Sequence, residues 1–239
     1  MKKRLLKFAV LVCLWGIYRK YLFGVTPDKS FYGCFVIIAG TIPITEDISE
    51  VLWNMAVWLL PQICIIVMYA DFIEKNVKKN YSIILTRTNN INSILNTQLC
   101  IMIRNIVVTV FVFLIEVVII AMCTCRFITL SDWIRIITDS INICLVLITD
   151  CVIANYIAVL FDSNCGALAV IGLKFIQFFL IMINRKSSKW LYISGALLEL
   201  RTKDHLCTIL ETTFMEMLYL AIIVLVFGKI VSKRKNVIY

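Results

Sequence analysis

Reactive side chains are sparse in this chain, and few of them are spaced for chemistry. The single histidine, His205, directly follows Asp204 and stands two positions before Cys207. In an extended segment that spacing puts imidazole and thiol on one face, whereas in a helix it points them apart. A thiol nucleophile also needs a base that is held in place, and Asp204 is the only neighbour for that task. A membrane peptidase would have to rest on this trio. The sequence has no Gly-rich phosphate loop, no His-Glu-x-x-His metal helix and no paired Glu-Glu of the prenyl-peptidase kind. ATP hydrolysis is therefore not encoded here, and no residues are assigned to catalysis or to metal.

Of the ten cysteines, five point to packing. Cys13, Cys64, Cys100, Cys144 and Cys151 lie in or beside apolar runs, where a thiol behaves as a small hydrophobe. Cys123 and Cys125 are closely spaced, and Cys34 and Cys207 are the other candidates in polar joints. The set matches neither a zinc pattern nor a disulfide framework.

Three charges stand inside apolar stretches: Glu116, Asp150 and Lys174. An unpaired charge there costs about 2.5–3.5 kcal/mol on insertion scales, so all three should face protein or water. Helical rise puts Asp150 about 15 Å from the outer edge of its run and Lys174 about 12 Å from the inner edge of the next. In a hydrocarbon core of about 30 Å these are nearly one level, which predicts an Asp150–Lys174 ion pair locking two adjacent helices. Glu116 lies nearer the outer end of its run, with Arg126 or the following external segment as expected partners. Arg104, near an inner end, can snorkel to the headgroups.

The elements that carry these residues are long and apolar. Hydrophobic residues make up 61% of the 239 and charged ones only 16%, against about 25% charged in soluble domains. A crossing needs roughly 20 apolar residues, and such runs occur at about 5–24, 50–70, 99–123, 140–161, 166–184 and 209–231. The expected fold is all-α, a single membrane domain over 1–239 with six spans. Lys2, Lys3, Arg4 and Lys7 precede the first run in the manner of a signal peptide. That run ends in Tyr18-Arg19-Lys20-Tyr21 with no small-residue cleavage site, so it is read as a retained span. The net charge of +9 sits in clusters beside helix ends, which suits anionic lipid headgroups and not nucleic acid. Basic clusters beside the first and last spans, with an even span count, put both termini in the cytoplasm.

The connections carry most of the functional information. Phe31 to Ile44 is apolar but too short to cross, and is expected at the outer interface. Phe161-Asp162-Ser163-Asn164-Cys165 joins the fourth and fifth spans as a tight hairpin. Residues 185–208, with Trp190-Leu191-Tyr192-Ile193, are expected to form an external or re-entrant segment. The internal connection 71–98 has Tyr81-Ser82-Ile83-Ile84-Leu85-Thr86-Arg87-Thr88, then Ile91, Ile94, Leu95 and Leu99 at helical spacing. A segment of this kind lies on the membrane and offers its polar face to a soluble partner.

The stretch Phe31 to Leu99 resembles the permease subunits of small bacterial ABC exporters of the type-2 class, especially those of bacteriocin and lantibiotic export or immunity systems. The features that carry the resemblance are Phe31-Tyr32 with Gly40, Glu50-Val51-Leu52-Trp53, Trp58-Leu59-Leu60-Pro61 and Leu85-Thr86-Arg87-Thr88. Where relatives continue with basic residues, this chain has Asn89-Asn90-Ile91-Asn92. The second half is similar mainly in topology. The resemblance implies six spans, cytoplasmic termini, a coupling helix within 71–98 and a membrane-dipping segment between the last two spans. It also implies a location in the bacterial cytoplasmic membrane, a second permease copy or related permease, and cytosolic ATPase subunits that hold ATP and Mg2+. Docking of that ATPase is assigned to Arg87 with Tyr81, Lys75, Lys78 and Lys79, and the cargo is an amphipathic or hydrophobic peptide. A stand-alone membrane immunity protein is the alternative.

Overall fold

The computed structural model describes residues 2–25, 29–40, 48–76, 91–125, 127–184, 191 and 209–233. Seven helices make up most of them: α1 Lys2–Leu22, α2 Phe31–Gly40, α3 Ile48–Tyr69, α4 Ile91–Met122, α5 Leu130–Leu160, α6 Ser163–Ile183 and α7 Ile209–Lys233. No strand occurs among the described residues. Among the described residues, four stretches are long and apolar enough to cross a bilayer: Ser49–Asn76, Asn96–Met122, Leu130–Leu160 and Ser163–Ile183. The chain has the make-up of a multi-pass membrane protein. The two other runs expected to cross fall on α1 and α7, which are 21 and 25 residues long.

α5 is the central element, packing against α2, α3, α4, α6 and α7. Its start differs from the hydropathy reading, which placed the run at 140. The helix begins ten residues earlier because Thr129 and Asp132 form a capping box. The Thr129 hydroxyl oxygen accepts from the Asp132 N–H at 3.3 Å, and the Asp132 carboxylate accepts from the Thr129 N–H at 3.2 Å. Hydropathy misses the first turns because they carry Asp132, Arg135 and Asp139. α4 likewise starts at Ile91 and not 99, its first turns polar with Asn92, Ser93, Asn96 and Gln98. At about 1.5 Å per residue, α4 and α5 both exceed the roughly 30 Å of a hydrocarbon core.

α2, the segment expected at the outer interface, is packed into the bundle. Phe31, Cys34, Phe35, Val36, Ile38, Ala39 and Gly40 are all buried, and the helix is inserted between α1, α4 and α5. Too short to cross, it has apolar residues on every side and buries them against protein.

Two local features fix how the helices meet. Pro61 lies inside α3, and it cannot donate the bond that would close on the Val57 carbonyl. The Trp15 Nε1–H of α1 supplies that donor at 2.6 Å, so the gap in one helix becomes a joint with another. The α5–α6 connection is only Phe161 and Asp162, shorter than expected, because Asp162 caps α6 by accepting from the Asn164 N–H at 2.8 Å. Gly166 follows one turn later, where an added Cβ would overlap the Ala154 carbonyl oxygen and approach the Ala158 nitrogen within 3.2 Å.

Both features generate measurable expectations. Gly166→Leu is expected to lose about 3 kcal/mol or more, since the obstacle is backbone that cannot yield, whereas Gly172→Ala, with nothing within 4 Å, is expected to be near neutral. Thermal unfolding of the two variants in one detergent compares them; equal melting temperatures would contradict the packing. Trp15→Phe keeps the ring but strands the Val57 carbonyl, and a loss of about 1–3 kcal/mol is expected in the same assay.

Candidate functional site

A buried polar group joins three helices about two-thirds of the way along α5. Lys174 of α6 and Asp150 of α5 meet with Nζ and Oδ2 2.7 Å apart, and neither side chain has exposed surface. Lys174 also donates to Oε1 of Gln62 on α3 at 2.9 Å. The indole of Trp58, one turn before Gln62 on α3, lies with its ring centroid 6.0 Å from the ammonium. An ammonium in this setting has a carboxylate, an amide oxygen and an aromatic face around it, which offsets its removal from water. Depth counting placed the ion pair; it missed Gln62, an isolated amide after Pro61 in an otherwise apolar run. The Trp58 Nε1 is buried with no hydrogen-bond partner among the described residues.

The other expected site residues fall elsewhere. Glu116 is half-buried on α4, with one carboxylate oxygen enclosed and no hydrogen-bond partner among the described residues. Its expected partner Arg126 and most of the segment 185–208 lie outside the described residues, as do Asp204, His205 and Cys207. Lys75 is exposed and pairs with Asp71 one turn back. Tyr81, Lys78, Lys79 and Arg87 also lie outside the described residues, so Lys75 is the one member of that set with a described position.

Several buried polar residues were not singled out from sequence. Arg19 of α1 is fully buried, donating to the Ile37 carbonyl at 2.9 Å with its guanidinium over the rings of Trp15 and Phe23. At the same end of the bundle, the Tyr32 hydroxyl donates to Asp139 at 2.7 Å. One turn further along α5, Asn142 accepts from the Thr213 hydroxyl of α7 at 2.6 Å. Glu216, a turn after Thr212, is also buried. Their signal was available: each is a polar residue within or beside an apolar run.

No family model, curated protein or solved structure matches this chain. The central junction pairs a buried cation with its counter-ion and so joins helices. Removing one partner of such a buried pair typically costs about 3–5 kcal/mol. Asp150→Asn and Lys174→Met are each expected to show that loss in thermal unfolding. The exchange Asp150→Lys with Lys174→Asp is expected to assemble better than either single reversal, and no recovery in the double variant would show that the pair does not hold the helices.

Proposed function

We propose that this chain is the permease subunit of an ABC exporter, with α1, α3, α4, α5, α6 and α7 as six spans and both termini in the cytoplasm of a bacterial cell. Two copies, or one with a related permease, would enclose the route for an amphipathic or hydrophobic peptide. Cytosolic ATPases holding ATP and Mg2+ would dock on the connection 71–98 through Arg87, supported by Tyr81, Lys75, Lys78 and Lys79.

The observation that carries this reading is the anchoring on both sides of that connection. It leaves α3 where Asn155 of α5 bonds both the Tyr69 carbonyl and the Ile73 N–H. It enters α4 at Ile91, which continues unbroken to Met122. The Tyr69 hydroxyl also bonds Thr109 of α4 at 2.7 Å, so the two arms are tied to each other. While Asn155 holds the end of α3, displacement of the connection would move α3, α4 and α5 together, and the Lys174 junction would carry α6 with them. Nucleotide-driven closure could then change which side of the membrane the route opens to. The buried Arg19 supports counting α1 as a span, since its charge is taken up by protein and not by lipid.

Affinity purification of the tagged chain from its native membranes tests the reading. A subunit with a Gly-rich phosphate loop is expected to co-purify, and Arg87→Glu is expected to reduce its yield at least about tenfold while membrane insertion is unchanged. A wild-type chain that brings down no such subunit would favour a stand-alone immunity protein and sink the permease reading.

A further inference from the structure

The end of α3 contains a substitution of one hydrogen bond by two. In an unbroken α-helix the Ile73 N–H would donate to the Tyr69 carbonyl, four residues back. Here the Tyr69 carbonyl accepts from Asn155 Nδ2 at 2.6 Å, and the Ile73 N–H donates to Asn155 Oδ1 at 3.0 Å. The carboxamide of α5 is thus inserted into the backbone ladder of α3, at the turn formed by Ala70 and Asp71. Helical structure resumes over 72–76, where the Lys75 N–H donates to the Asp71 carbonyl at 2.9 Å. A side chain that enters the ladder in this way is a recognised cause of a kink.

We propose that Asn155 is a removable wedge, and that it makes residues 70–72 a two-state joint between the membrane-embedded part of α3 and the connection that follows. With the wedge engaged, the joint is held open and fixed to α5. With the wedge withdrawn, the Tyr69 carbonyl and the Ile73 N–H satisfy each other, and α3 runs unbroken to residue 76. Asn155 Nδ2 also donates to its own Cys151 carbonyl at 2.8 Å, and that bond survives withdrawal because both residues belong to α5. At Tyr69 and Ile73 the two states therefore differ by one hydrogen bond, and these two backbone groups are satisfied in both. Asn155 and Tyr69 are both buried, so water does not compete for these groups. On the α4 side, the Tyr69 hydroxyl holds the residue before the gap through Thr109 and the Asn105 carbonyl. Movement is thereby confined to the residues after it. The wedge stands on this geometry alone; its use by an ATPase rests on the permease reading.

The test uses the full chain in lipid nanodiscs, spin-labelled at Lys75→Cys and at the exposed Cys165, with the other cysteines replaced. Asn155→Ala is expected to shift the distance distribution by about 3 Å or more as the kink is relieved, while the Ile73 amide stays protected from hydrogen exchange. Asn155→Ser can still bond the Cys151 carbonyl but is too short to enter the gap; it carries the same expectation should the alanine variant fail to assemble. Asn155→Gln, which keeps the carboxamide with its donor and its acceptor, is expected to restore the wild-type distribution at least in part. An unchanged distribution in the short variants would overturn the proposal, and so would rapid exchange at Ile73, which would mean that the joint frays and does not reseal. On the permease reading, ATP added to the complete assembly is expected to move the wild-type distribution toward that of Asn155→Ala. Absence of any ATPase from the assembly would sink that reading and leave the wedge measurement standing.

Discussion

In hydrocarbon no solvent answers a polar atom, so every donor, acceptor and charge placed there must be met by protein. The joints of this bundle follow from that constraint. Proline removes a donor from α3, and a tryptophan of α1 replaces it. A lysine that would be intolerable facing lipid takes a carboxylate from one neighbour and an amide from another. Apolar packing alone discriminates poorly between helix registers here, because lipid tails are as apolar as Leu and Ile. Polar groups that need one particular partner supply the discrimination.

These obligations converge on α5. Along this one helix, Asp139 meets α2, Asn142 meets α7, Asp150 meets α6 and Asn155 meets α3. Four polar residues on a single rod thus address four different neighbours, each at its own level. Between them lie Ile143, Val146, Leu147, Cys151, Val152 and Ala154, all buried. The outward faces of the surrounding helices are apolar, as with Leu6, Val10 and Leu14 of α1 or Phe111, Ile115 and Ile119 of α4. The result is a bundle whose polarity is greatest at its axis.

How much of this could be read from sequence depends on the kind of signal. The all-helical class and the positions of the apolar runs follow from hydropathy, because length and composition decide them. The level of Asp150 with Lys174 follows from rise per residue and the short joint Phe161 to Cys165. Helix ends were harder, since the first turns of α4 and α5 are polar and a hydropathy window discards them; the Thr129–Asp132 spacing was the cue for α5. Gln62 and Asn155 were legible only as amides out of place, and nothing in the chain says that they would meet Lys174 or a break in α3. Those pairings depend on tertiary approach, which one sequence does not contain. Arg87 and its neighbours rest on resemblance, and the span count on hydropathy and resemblance together.

Arg19 bears on how the protein is made. Between Lys7 and Arg19 the first helix has only the uncharged stretch Phe8 to Tyr18, about 16 Å of rise and far short of a bilayer. The carbonyl that receives the guanidinium belongs to Ile37, in an element synthesised later. The guanidinium of the first helix is therefore satisfied only after the segment that follows it has been made and has packed against it.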